Sequence, residues 1–180
     1  MAGVDAAMPP TGHFDFGLLK NSPEENEQGI VEIVDVGGGH GAVLKKILGA
    51  NPELSPANAV LEDRTDVVTV PTVLPAATRR VTHDFMAEQP IKGQILSHLV
   101  AAMSPVSRVL ICDMVLPSRV GEADSAAAVI DQTVMAMDGK SRTAERFRKL
   151  FEPAGLELVK IWRVPGVPGG CDEGRLKRAA

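Results

Sequence analysis

The 180-residue sequence predicts an α/β fold, and three adjoining observations predict it. The first is a near-continuous apolar run, Ile30, Val31, Ile33, Val34 and Val36, which reads as a strand buried on both faces. The second is the turn that ends it, Asp35-Val36-Gly37-Gly38-Gly39-His40-Gly41. The third is the helical spacing of Ala42, Val43, Leu44, Ile47 and Leu48, with Lys45 and Lys46 facing outward. Strand, glycine turn and helix form the first half of a nucleotide-binding βαβ unit. The glycines allow a tight turn and a close ligand, and the helix start offers N–H groups with no partner of their own.

Two ligand chemistries suit such a turn. A dinucleotide site asks for G-x-G-x-x-G/A, which Gly37, Gly39 and Ala42 satisfy. A site for S-adenosylmethionine asks for acid-x-Gly-x-Gly, which Asp35, Gly37 and Gly39 satisfy. Asp35 favours the second, because it would repel a pyrophosphate and attract a cationic amino group. An NAD-dependent oxidoreductase is therefore the lesser reading, and a glycine turn that binds nothing is the structural one.

Composition narrows the classes. Hydrophobic residues make up 44% of the chain, enough for one domain with its own core. A net charge of −4 gives no nucleic-acid footprint. No apolar run is long enough to span a bilayer, and Met1–Pro10 lacks the basic and apolar regions of a secretory signal. Cys112 and Cys171 have no metal-ligand spacing, so no metal is expected, and Cys112, inside an apolar strand, reads as a small buried hydrophobe. A reduced, cytoplasmic protein is expected.

The rest of the chain follows in order. Residues 1–29 read as an irregular leader, with Phe14, Phe16, Leu18 and Leu19 packing onto a domain that spans 30–180. A second strand, Ala59–Glu62, ends in Asp63, 22 residues past Gly41. An acid there suits the two hydroxyls of a ribose, or else caps the next helix. Pro71 and Pro75 break the crossover that follows. Arg79–Phe85 reads as a third strand, with His83 at its rim and Asp84-Phe85 at its tip. The pattern then fails. A loop over 86–93 leads straight into an amphipathic helix, Gln94–Met103, where a doubly wound sheet calls for a helix and a fourth strand. The strongest strand signal is Arg108–Leu116, and direct pairing with the strand at 30–36 is the expectation. Helices over Ser125–Met137 and Ala144–Phe151, the latter capped by Thr143, precede a strand at Leu156–Val164. Arg175–Ala179 reads as a short antiparallel return.

These residues resemble a known family. Val34 through Gly41 is similar to the cofactor loop of plant and fungal small-molecule O-methyltransferases. So are Leu61-Glu62-Asp63-Arg64, His83-Asp84-Phe85, Met114 through Pro117, Gly139 through Thr143, and Phe147 through Leu156. The resemblance implies a class I methyltransferase fold, a Rossmann-like three-layer sandwich. It implies S-adenosylmethionine held at Asp35, Gly37 and Gly39, its ribose at Asp63 and its adenine near Asp84 and Phe85. The substrate it implies is a small phenolic or polyketide-like hydroxyl compound, with neither nucleic acid nor membrane as partner.

The departures are as informative. One central strand of the family is missing, along with the segment after it that carries the histidine base. An orienting acid of the family is replaced by Ser141, and the second one matches Glu173. The family's N-terminal dimerisation region has no counterpart, which leaves homodimer formation open. The expectation is an O-methyltransferase domain impaired by loss of its base, with a non-catalytic cofactor-binding or partner-binding relative as the alternative.

Overall fold

The computed structural model describes residues 13–83, 94–119, 121, 124–136, 139–164 and 169–177. Part of the leader expected to be irregular is ordered. A 3-10 turn spans Phe16–Leu19, and a short helix, α1, spans Pro23–Glu27. Ser22 starts α1 with a capping box, accepting from the Glu25 N–H while the Glu25 carboxylate accepts from the Ser22 N–H. Phe14 and Phe16 are buried, while Leu18 is exposed.

The chain divides into two compact units, Asp15–Glu88 and Met1–Phe14 with Gln89–Ala180. The first unit carries a parallel sheet in the order β1-β2-β3, made of Ile33–Val36, Ala59–Asp63 and Arg79–Thr82. Its register sets Asp35 opposite Leu61 and Val36 opposite Glu62, and Asp63 opposite Thr82. Helix α2, Ala42–Ala50, buries Leu44, Ile47 and Leu48 and leaves Lys45 and Lys46 outside, as its spacing predicts. The crossover to β3 contains a single turn of helix, α3 over Thr65–Val68, because Pro71 and Pro75 prevent its extension. All four residues of β3 are exposed.

The second unit holds α4 (Gln94–Ala102), β4 (Val109–Leu116), α5 (Ser125–Ala136), β5 (Arg142–Thr143), α6 (Ala144–Phe151), β6 (Leu156–Arg163) and β7 (Gly169–Leu176). Its sheet runs β5-β4-β7-β6, with β7 antiparallel to both neighbours. Leu96, Val109, Phe151 and Leu156 form its core, with Leu99, Val100, Ile111 and Leu158 packed against them. Gly174 suits this packing, since a Cβ there would press on the Phe151 ring at 3.2 Å. Thr143 caps α6 as expected, its hydroxyl accepting from the Arg146 N–H at 3.4 Å.

Three expectations are corrected. Strand β1 does not pair with β4: among the described residues its only ladder is with β2, and β4 spends its pairing on β5 and β7. Nor is β1 buried on both faces: none of its four residues is fully buried, and Val34 is 45% exposed. The return strand is eight residues long rather than five and begins at Gly169, because pairing with β4 and β6 overrides the poor strand propensity of Gly169-Gly170-Cys171-Asp172-Glu173-Gly174. Cys112 is exposed, and it is Cys171 that is buried.

Candidate functional site

The turn after β1 is built by backbone bonds that leave little freedom. Gly37 N–H donates to the Glu62 carbonyl at 2.8 Å, carrying the β1–β2 ladder one step past the strand. Gly41 N–H closes the turn on the Gly38 carbonyl at 2.9 Å. Gly37 and Gly39 lie at φ +72° and +59°, backbone that residues with a Cβ rarely adopt. A Cβ on Gly38 would overlap both the Asp35 carboxylate and the Leu61 side chain. Helix α2 then starts from Gly41, which has no side chain to cap its first N–H groups.

Two carboxylates flank this turn. Asp63, the last residue of β2, accepts from the Gly39 N–H through Oδ2 at 2.8 Å and from the Arg64 N–H through Oδ1 at 2.7 Å. It does not cap α3, which Arg64 precedes without a side-chain bond. Asp35 is different. Its Oδ2 is buried and has no hydrogen-bond partner. Burial, with the nearby charge of Asp63, pushes the Asp35 carboxyl above its ordinary range. An open depression of about 510 Å³, lined by Arg64, Thr65, Asp66, Thr69 and Thr82, lies beyond the ends of β2 and β3.

The structure thus brings Asp35, Gly37, Gly39 and Asp63 together within the first unit. Asp84 and Phe85 lie outside the described residues. The crossover is also fastened to this turn, which sequence reasoning missed. Thr72 Oγ1 donates to the His40 carbonyl at 2.8 Å, Val73 N–H donates to it at 3.4 Å, and Leu74 packs so that a Cβ on Gly41 would overlap it. The only signal was the Pro71–Pro75 spacing, which holds the segment extended.

Glu173 belongs to the second unit and has a different environment. It is 2% exposed. Its Oε1 accepts from Arg108 Nη1 at 2.5 Å and Arg175 Nε at 3.0 Å, and its Oε2 from Trp162 Nε1 at 2.9 Å. Burial pushes its carboxyl up, but the bonds from Trp162, Arg175 and Arg108 outweigh burial and hold it below its ordinary range. The hydroxyl of Ser141 is buried with no hydrogen-bond partner. Neighbouring Asp172 is fully buried with both oxygens unpartnered. Burial, against the opposing charge of Arg163 and with that of Asp113, pushes it to about 7.

Comparison with known proteins decides the family. A family model described as an O-methyltransferase domain matches residues 67–157, just over half the chain. This chain belongs to that family. O-methyltransferase hmp5 of Hypomyces subiculosus is 33% identical over an alignment that takes in 95% of this chain and 48% of the relative. Methyltransferase pynC of Aspergillus niger is 30% identical, with 93% of this chain and 50% of the relative covered. The crystal structure of OxaC superposes with a TM-score of 0.74 at 29% identity, over 91% of this chain and 46% of that one. CalO1, a methyltransferase in calicheamicin biosynthesis solved in an SAH-bound form, gives 0.68 at 26%, over 80% and 48%. The fold is that of class I methyltransferases. The chain spans about half the length of the curated relatives it matches. The alignment with the Hypomyces protein runs over 195 residues, more than the 180 of this chain, so the relative carries residues that have no counterpart here.

Proposed function

We propose that this O-methyltransferase chain holds S-adenosylmethionine at its glycine turn and serves methyl transfer to a hydroxyl of a small phenolic or polyketide-like metabolite, at a much reduced rate. The domain that does this spans 30–180 and works in the cytoplasm. The observation that carries the reading is the orphaned, buried Oδ2 of Asp35 beside a turn in which Gly38 and Gly41 leave no room for a side chain and Gly39 stays open to a ligand. A buried acceptor without a donor is costly, so a ligand that brings one is favoured. With Asp63 on the other flank, the turn presents two carboxylates, which suits a cationic amino group and repels a diphosphate. That argues against the NAD reading. OxaC structures are described in complex with SAH and oxaline, which agrees with a cofactor and a small-molecule substrate for this family.

Asp35, Gly37, Gly39 and Asp63 would hold the cofactor, with Asp84 and Phe85 as further candidates. When bound, S-adenosylmethionine supplies an electrophilic methyl group on a sulfonium. This chain's residues then have to deliver a deprotonated hydroxyl. A phenol has a pKa of about 10, so about one in a thousand is ionised at pH 7. A positioned base typically contributes ~10²–10⁴-fold. The family's base histidine has no match here, and Glu173 has three donors on its two oxygens rather than a histidine. Ser141 supplies a hydroxyl where the family has an acid, and a hydroxyl does not stabilise an imidazolium as a carboxylate does. We therefore read Glu173 as a structural acid and expect turnover at least ~10²-fold below that of an intact relative.

Calorimetry with S-adenosylhomocysteine, and with NAD as the control, tests the cofactor reading. Heat from the first and none from the second is expected. Folded protein that gives no heat at millimolar S-adenosylhomocysteine ends the proposal. Labelled S-adenosylmethionine with a panel of phenols tests the second half, where turnover matching an intact relative would show that another residue serves as base.

A further inference from the structure

Cys112 on β4 stands directly opposite Cys171 on β7, and their sulfurs are 3.5 Å apart. Both are free thiols. Cys112 is exposed, whereas Cys171 is fully buried. Directly opposed residues of antiparallel strands have Cα atoms about 4.5–5.5 Å apart, within the ~4.4–6.8 Å span of a disulfide. Side-chain rotation alone can bring the sulfurs from contact to the bonded distance of ~2.05 Å without a change of register. The described residues hold no His, Cys, Asp and Glu cluster suited to a metal, so metal binding does not account for the pair.

We propose that Cys112 and Cys171 are a redox-active dithiol that closes to an intrachain, cross-strand disulfide when a hydroperoxide attacks at Cys112. The first step breaks the peroxide O–O bond: the Cys112 sulfur takes one oxygen as sulfenic acid, and its thiol proton leaves with the other oxygen as water or alcohol. In the second step the Cys171 sulfur displaces the hydroxyl from Cys112, and that hydroxyl leaves with the Cys171 proton as water. Two thiols are oxidised and one peroxide is reduced. The order follows from access, since Cys112 is the sulfur that meets solvent. The bond from Cys112, then burial, then the charges of Cys112, Asp172 and Glu173 all push the Cys171 thiol up, so it does not ionise readily on its own. The bond would fasten the same two strands whose ladder replaced the expected β1–β4 pairing.

The test uses the full reduced chain, treated with hydrogen peroxide in native buffer, then digested without reductant and weighed. The expected result is a Cys112–Cys171 linked peptide from monomeric protein, with both thiols lost to titration under denaturing conditions and restored by dithiothreitol. The C112S variant, changed at an exposed position, should give no linked peptide and a Cys171 that remains a thiol. Sulfinic acid on Cys112 with Cys171 still reduced would overturn the proposal. So would disulfide-linked dimers through Cys112 as the main product.

Discussion

Two carboxylates singled out in the sequence, Asp35 and Glu173, have opposite fates. Glu173 is held by Arg108, Arg175 and Trp162 and lies below its ordinary pKa. Asp35 keeps a buried oxygen with no donor and lies above its own. The protein satisfies one acid completely and leaves the other wanting a partner. An acid whose needs are met internally stabilises the fold. An acid left unmet costs stability and is free to meet a ligand.

The largest effect that would sharpen this contrast is in Glu173→Ala. Removing it leaves the part-buried Arg108 guanidinium and an indole N–H without their acceptor, while Arg175, 42% exposed, can turn to water, so the loss should lie at or below the ~3–5 kcal/mol typical of a broken buried ion pair. Denaturant titration should show that loss, while the variant that stays folded binds S-adenosylhomocysteine as before. Lost binding with intact stability would instead put Glu173 at the site.

Asp172 extends the comparison by one residue. Its carboxyl is raised from 3.8 to about 7, so the folded state keeps a proton that the unfolded chain releases. Its contribution is therefore neutral below about pH 4 and turns unfavourable as the pH climbs towards 7, by up to about 4 kcal/mol at ~1.4 kcal/mol per unit. Asp172→Asn should raise stability at pH 8 by up to that amount and leave it unchanged at pH 4. A variant with the same pH profile as the parent would show that the carboxylate is not the source.

Asp35→Ala should go the other way in function. A hydrogen bond to a charged group is worth ~1.5–3 kcal/mol, so affinity for S-adenosylhomocysteine should fall ~10–100-fold while folding stability holds or rises. Equal affinity in parent and variant would break the contrast at its root. The smallest expected effect is that of Ser141→Glu. Methyl transfer should not increase, because the group that a restored acid would orient has no match in the chain.

Much of the first unit was legible because its signals are local. An apolar strand, a glycine turn and a periodic helix identify themselves within 20 residues, and Asp63 ends a strand whose three buried residues are all apolar. The second sheet was legible only in part. Gly169-Gly170-Cys171-Asp172-Glu173-Gly174 has no β-branched or aromatic residue, so only its partners make it a strand. Nor does any local pattern tell Val109–Leu116 whether to join β1 or β7. Glu173 was found by resemblance, but its three donors come from β7 itself, from Trp162 on β6 and from Arg108 ahead of β4, a meeting that no spacing announces. The exposure of Cys112 is set by the same long-range arrangement.

The latch between the crossover and the glycine turn has a practical consequence. Surface connections rich in proline are ordinarily the safe places to insert a tag, a protease site or a fluorescent reporter. The stretch Pro71–Pro75 is not one of them, because Thr72 and Val73 both hold the His40 carbonyl and Leu74 sits over Gly41. An insertion there pulls on the backbone that shapes the turn, so its damage would surface as poor ligand binding in a protein that still folds. The same tether makes the segment a natural reporter: a protease that nicks the chain at 71–75 should cut more slowly once the turn is braced by ligand.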